Sequence, residues 1–443
     1  MSLRSDKSTV VPSGGECPAD LMSGRVNDRA ARLWFLLLAL AGYVAAAWWL
    51  GWLGGAPSRD EVHFWPTSLR FAAEPIPSLE LLRGYGELST PFPFMVFGWL
   101  ETGFGGGIAV GRLFNSLVSF ATLSVFVLLA RGRPGRVVAA ACCAFSFPYL
   151  IGSSFFLYTD MIAASAAFFG LVAFLRSRWI TAAVFFAVGV SSRQYMVAVP
   201  GALGLHALVE HLRIHGVGAG LRRFAGYPGG WVCASGGAVL LAWVVFFGGF
   251  APIGEVLRQD IQTRSTVALI PRNAVYFLAV IGAYYVPLWC VWVWWDRRSM
   301  GSWGGIRFRV RGVVLLAILG GLVLAFPPIG NTDYPIETMG FLDKALRLVL
   351  GDRDAVRVAV LGVLAGAAVL RFRSWSLGTA VVLVHAVMLM KAHIAWDKYA
   401  LVCLLCLWFV EADSEPVVAE ASPVGEQDPP LGGAEGERGD LPA

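Results

Sequence analysis

Charge is what this sequence has least of: 15% of its 443 residues are charged, against 57% hydrophobic. A chain so poor in charge cannot clothe a water-facing surface, so the soluble globular class gives way to one whose apolar runs meet lipid. A Walker loop is absent, as is a G-x-G-x-x-G turn after a strand-like segment, which argues against ATP-driven transport. A repeat of fixed period is also missing. Of the seven cysteines, Cys17 lies in the N-terminal stretch and the other six sit within apolar runs, leaving none in the outer connections to form a disulfide. Cys403 and Cys406 share a helix face without a neighbouring ligand set, a pattern of packing residues rather than of a metal site.

What is present is a series of apolar runs able to span a hydrocarbon core of roughly 30 Å. The run from Leu33 to Leu53 carries no charge and follows Arg25, Arg29 and Arg32, so it reads as a first span with its N-terminus in the cytoplasm. It is too long and too far along the chain for a cleaved signal peptide. Basic residues then recur at every second connection: Arg131, Arg133 and Arg136; Arg176 and Arg178; Arg213, Arg222 and Arg223; Arg297 to Arg311; Arg371 and Arg373. These mark inner loops. Between them the sequence predicts spans near 33–53, 109–130, 137–153, 157–175, 179–193, 195–210, 231–250, 273–295, 312–328, 355–370, 375–391 and 398–411. The fold class is therefore all-α, a polytopic transmembrane helical bundle of about twelve spans, with eleven to fourteen as the range and both termini inside. Several runs fall short of a full crossing, so a re-entrant piece is expected around Phe92 to Leu100.

Residues 1–32 and 412–443 lack apolar clusters and read as disordered cytoplasmic tails, the second acidic, flanking a membrane domain over 33–411. The net charge of +5 resides mostly in the inner loops, where topology and anionic headgroups account for it, so nucleic acid is not an expected partner and membrane lipids are.

The long outer connections are 54–108, 251–272 and 329–354. Long loops on a rigid scaffold are where a site would lie. The first opens on the adjacent carboxylates Asp60 and Glu61, followed by His63, Phe64, Trp65 and Pro66. Pro66 suits the first turn of a short helix lying along the membrane surface, able to roof a cavity. Tyr158-Thr159-Asp160 stands at the outer end of the fourth predicted span and Arg193-Gln194 at that of the fifth. Charges beside apolar helix are costly unless they face a cavity or one another. Asp160 either pairs with Arg193 or Arg112 for structure alone, or joins Asp60 around a wet pocket.

From Asp60 to about Gln194 the chain resembles the dolichyl-phosphate-glucose α-1,2-glucosyltransferase family of GT-C type membrane enzymes. That family's D-E-x-F-H-x-P is met by Asp60 to Pro66 with His63 and Phe64 exchanged, its T-T-x-P by Ser89-Thr90-Pro91, and its L-R-x-x-N by Arg112 and Asn115. Its Y-T-D/E matches Tyr158-Thr159-Asp160, and the R-Q of its F-R-Q-T-N matches Arg193-Gln194. Further on, Asn331-Thr332-Asp333-Tyr334 is similar to its acidic outer loop and Asp397-Lys398-Tyr399 to its F-R-Y.

The resemblance implies a GT-C-like bundle with a catalytic first outer loop, moving a hexose, glucose in that family, from a polyprenyl-phosphate donor to a glycan or lipid-linked acceptor on the outer or lumenal face. Asp60 is then the expected general base, and Glu61 orients the acceptor or a cation. Arg193 is the expected holder of the donor phosphate, with Lys398, His393 and Arg112 as alternatives, and Asp160 orients Arg193 or binds sugar hydroxyls. Gln194, Asn115, Tyr158, Tyr399 and Asp333 complete the expected substrate site, while Trp65 and Tyr85 either stack on a sugar or anchor the loop. A cofactor or metal ligand set is not evident, although divalent-cation dependence stays open. Arginine far outnumbers lysine, and Ala and Gly abound, which points to a bacterial cytoplasmic membrane and an undecaprenyl-type donor rather than the endoplasmic reticulum. The competing class is a transporter or flippase, whose mark would be paired halves with broken helices. A non-catalytic assembly subunit is the third.

Overall fold

The structure, a computed structural model, describes residues 18–49, 51–58, 60–252, 269–297, 310–329, 340–392 and 395–414. Among these, every regular element is a helix. Helix α1 (Pro18–Trp49) begins well inside the stretch expected to be a tail, so 18–32 is helical, while 1–17 and 415–443 lie outside the described residues. A polar start does not prevent a helix: Pro18 stands at its first position, where a proline is tolerated, and the single Gly24 does not interrupt it. Most of the apolar part faces outward, with Trp48 and Trp49 almost fully exposed. Apolar surface of this extent is what a lipid solvent accommodates.

Short helices α2 (Glu61–Ala73), α3 (Leu79–Arg83) and α4 (Phe92–Phe104) make up most of the connection to α5 (Ile108–Leu129). Pro66 falls within the second turn of α2 rather than its first, because the helix starts at Glu61 with Asp60 as its N-cap residue. The proline costs one backbone bond there. The piece expected to be re-entrant is α4, and it packs against α2. A Cβ on Gly98 would stand 2.8 Å from Phe71 and the backbone of Ala72, while Trp99 Nε1 and Thr102 Oγ1 donate to the carbonyls of Pro75 and Ala72 at 2.7 and 3.0 Å. Glycine is what allows that approach. Beneath both helices lies an aromatic cluster of Phe64, Phe71, Tyr85, Phe94, Phe97 and Phe247.

The run expected as one span over 137–153 is two helices, α6 (Pro134–Phe145) and α7 (Pro148–Phe155), bent by 77°. Phe147, restricted by the proline after it, is extended at φ −66° and ψ 121°. Next come α8 (Thr159–Leu175), α9 (Trp179–Ser192), a 3₁₀ turn (Gln194–Val197), α10 (Ala198–His215), α11 (Val217–Ala225) and α12 (Pro228–Phe247). After them follow α13 (Pro271–Tyr284), α14 (Val286–Arg297), α15 (Val310–Ala325), α16 (Phe341–Leu350), α17 (Asp354–Arg371), α18 (Leu377–Leu389), a second 3₁₀ turn (Asp397–Ala400) and α19 (Leu401–Asp413).

Among the described residues, four helices are long and apolar enough to cross a membrane: Asp28–Trp49, Ile108–Leu129, Pro228–Phe247 and Pro271–Trp294, or five if the bent pair is one span. Of the other predicted spans, 157–175, 179–193, 312–328 and 375–391 coincide with shorter apolar helices such as α8, whose 17 residues rise about 25 Å, less than a hydrocarbon core. Helices α8 and α19 form the centre of the bundle and are buried along nearly their whole length. Buried hydroxyls pair inside it, Ser119 with Ser154 at 2.6 Å and Thr122 with Ser165 at 2.7 Å. At one end Arg176 meets Asp413 at 2.7 Å, Arg371 meets Glu411, and Arg32 donates to the carbonyls of Val127 and Ala130. Asp60, Asp160, Arg193 and Lys398 collect at the opposite end.

Candidate functional site

Each member of that opposite group comes from a helix terminus. Asp60 precedes α2, Asp160 lies in the first turn of α8, Arg193 ends α9, and Lys398 belongs to the 3₁₀ turn before α19. Lys398 Nζ lies 3.3 Å from Asp60 Oδ2, a third of the Asp60 side chain being exposed and 13% of that of Lys398. Beside them Arg193 Nη2 contacts Asp160 Oδ2 at 3.1 Å, and the Tyr195 hydroxyl donates to Asp160 Oδ1 at 2.7 Å. The two pairs are electrostatically joined, since Asp160 feels Lys398 and Arg193 feels Asp60. The result is an alternating cluster of two carboxylates and two cations, roofed by Tyr399, whose ring meets that of Tyr195 edge-on at 5.1 Å. Asp160 pairs with Arg193, and the pair stands beside Asp60.

Glu61 has a different role from the one expected. It is fully buried, and Arg112 grips it through Nε at 2.9 Å and Nη2 at 2.6 Å, while Glu61 also accepts from the Leu157 and Ser58 N–H groups. Burial alone would raise its carboxyl; the Arg112 and backbone bonds outweigh it and hold the group below the usual carboxylate range. The remaining Arg112 donors go to the carbonyls of Trp52, Gly55 and Ala56. Neither partner has capacity left for a substrate. Together they clamp the loop after α1 to α5 and to the turn before α8, so Arg112 is a scaffold residue and not a phosphate ligand.

Several other expected site residues also serve the frame. Asn115 Nδ2 donates to the carbonyls of Phe156 and Tyr158 at 2.8 and 2.9 Å, holding the α7–α8 turn. Gln194 Nε2 donates to the carbonyls of Leu88 and Phe250, tying two connections together. Tyr158 caps α8 with its ring edge-on to Phe64. Trp65 packs on the aromatic cluster, Tyr85 is buried within it with its hydroxyl on the Ser89 carbonyl, and His63 faces outward on α2. Tyr85 is thus packed away inside the cluster, whereas Trp65 is half-buried at its edge. His393 and Asp333 lie outside the described residues. Tyr195 and Trp396 carry weight that the sequence did not signal clearly. Trp396 supplies the ring under Lys398 Nζ, 3.8 Å from its centroid, and donates from Nε1 to the Tyr149 hydroxyl at 2.7 Å.

A second polar junction supports Lys398 from behind. Asp397 is fully buried and accepts from Tyr276 Oη at 2.6 Å, Leu342 N–H at 2.8 Å and Tyr284 Oη at 3.3 Å. Burial outweighs these donors and raises its carboxyl above the ordinary value. Gly340 rests directly on that carboxylate, and a Cβ there would overlap it. Among the described residues, three His, Cys, Asp or Glu side chains do not come together as a metal would require. A protein-family model, a curated protein and a solved structure were each sought as a match to the chain, and none was found.

Proposed function

We propose that the chain is an integral-membrane inverting glycosyltransferase that moves a hexose from a polyprenyl-phosphate donor to an acceptor hydroxyl, with Asp60 as general base. The observation that carries the reading is the partly exposed Asp60–Lys398 pair lying beside Asp160 and Arg193. A base and a phosphate-binding cation at contact distance are what such a displacement needs. When the donor phosphate arrives, Lys398 turns to it and Asp60 is released. The acceptor oxygen then forms its bond to the anomeric carbon as the carbon–phosphate-oxygen bond breaks. The electron pair leaves with the phosphate and the acceptor proton passes to Asp60. Arg193, one arm of which is held by Asp160, contributes charge and a buried, unpartnered Nε.

Support for a lipid-linked donor comes from an apolar groove of about 250 Å³ between Phe147, Leu288, Leu404 and Trp408. Tyr284 lines that groove and reaches Asp397, the neighbour of Lys398. Tyr284 and Asp397 thus link the groove to the turn that carries Lys398, an arrangement suited to a substrate with an apolar tail and a phosphate head. The 77° bend between α6 and α7 favours a second reading, a transporter with a broken helix.

Membranes carrying the chain, supplied with radiolabelled undecaprenyl-phosphate glucose and a cell-wall glycan extract, decide between them. Transfer that disappears in Asp60→Asn at unchanged protein level is the expected result, with a loss of about 10² to 10⁴ in rate. Vesicle uptake of the labelled sugar without transfer, or full transfer by Asp60→Asn, would sink the assignment.

A further inference from the structure

The end of the molecule opposite the Asp60 cluster carries a feature that glycosyl transfer does not use. From Ala198 to Tyr227 the chain has one acid, Glu210, against Arg213, Arg222 and Arg223. Helix α11 folds back flush along the last turns of α10, and two glycines allow it. Gly216 at the corner has φ +72°, and a Cβ on Gly220 would lie 2.7 Å from the His211 carbonyl oxygen and 2.9 Å from Leu212 Cα. The fold-back lays Arg223 against α10, its Nη1 donating to His215 Nε2 at 3.3 Å, while Arg222, Arg223 and Arg213 remain exposed. Glu210 is already engaged by Arg213 at 3.1 Å.

Apolar side chains are exposed at the same corner, Ile214, Val217 and Leu221 among them, with the Trp231 indole beside them donating to the Ala225 carbonyl at 2.9 Å. Cations rimmed by exposed aliphatic groups and an indole at the end of a membrane-long helix form the pattern of an interfacial anchor. Three exposed arginines with a single acid among them leave a net positive charge that an anion from outside the chain complements. We infer that the α10–α11 corner is a seat for the phosphate headgroup of an anionic phospholipid, held by Arg213, Arg222 and Arg223, with Ile214, Val217 and Leu221 among the acyl chains. The inference is independent of the reaction proposed for Asp60.

The purified full chain in detergent is titrated with dioleoyl phosphatidylglycerol, dioleoyl phosphatidylcholine or inorganic phosphate, and bound molecules are counted by native mass spectrometry. Wild type should retain at least one more phosphatidylglycerol than the Arg213→Gln/Arg222→Gln/Arg223→Gln variant, with apparent affinity about tenfold tighter, and the two should hold phosphatidylcholine equally. The corresponding triple lysine variant, which keeps the charge, should stay within a few-fold of wild type. Equal phosphatidylglycerol retention by wild type and the glutamine variant overturns the inference. So does a wild type that takes phosphatidylcholine as readily, or inorganic phosphate that displaces phosphatidylglycerol at equal concentration. Both variants alter exposed side chains, and identical elution on gel filtration verifies that they fold.

Discussion

Lys398 and Asp60 stand 338 positions apart in the chain and 3.3 Å apart in the fold, the lysine Nζ against the aspartate Oδ2. The pair joins the turn that enters the last helix to the loop that leaves the first. Being partly exposed, it contributes little to stability, about 0–1 kcal/mol. In the proposed reaction its weight lies in chemistry. Lys398→Met should leave the melting temperature of the detergent-solubilised protein within a few degrees of wild type while lowering kcat/KM for the polyprenyl-phosphate donor by at least about tenfold, the scale of a lost charge-assisted contact. Steady-state transfer kinetics measured alongside a melting curve verify this; a shift confined to the melting curve would make the lysine purely structural.

Removing one side of the Glu61–Arg112 clamp acts in the opposite way. Arg112→Met leaves a fully buried carboxylate without its cation, a change of about 3–5 kcal/mol. Arg112→Lys keeps the charge but cannot fork, so it should recover only part of the loss. Fluorescence-detected gel filtration after heating measures both. A stable, inactive Arg112→Met would return Arg112 to the list of substrate ligands.

The same clamp sets an acid limit on stability. The Glu61 carboxyl is lower in the folded protein than the ordinary glutamate value of 4.5, so its contribution is present above that value and disappears as pH falls through the folded value. Melting temperature should therefore decline on acidification below about pH 4.5, and Glu61→Gln should flatten that part of the decline. Melting curves from pH 3 to pH 7, at about half-unit steps, give the slopes; parallel slopes in the two proteins would remove Glu61 as the cause.

Tyr195 is the residue whose removal isolates Asp160. Tyr195→Phe takes away one donor from a buried carboxylate and leaves its partner Arg193 in place, a loss of about 1–3 kcal/mol. Donor KM should rise with kcat less affected, because Arg193 loses the fixed carboxylate that aims it. Unchanged kinetics would place Tyr195 outside the working site.

Long apolar runs were legible, and some to within a residue or two: the run 109–130 is Ile108–Leu129, and 179–193 is Trp179–Ser192. Periodicity and charge exclusion suffice there because burial in an apolar medium leaves little choice. Breaks were less legible. Pro148 announces the bend after Phe147, yet a hydropathy window averages across it. Roles within the site were hardest. Glu61 and Asp60 are chain neighbours, and only the placement of Arg112 one turn into α5 decides which of them is sealed and which stays in reach of solvent. An arginine in an apolar helix shows that a partner exists, and 51 residues of intervening chain conceal which. The helical start of α1 at Pro18 was missed for a related reason, since low hydropathy says nothing against a helix.

Trp396, Asp397, Lys398 and Tyr399 are consecutive, and each is fastened elsewhere: to Tyr149 on α7, to Tyr276 on α13, to Asp60 before α2 and to Tyr195 after α9. Four neighbouring residues thus work as one hub with spokes to four distant stretches of chain. A displacement at one spoke would therefore be passed to the others, so a molecule lodged in the groove beside Tyr284 would act on the Asp60–Lys398 pair through Asp397.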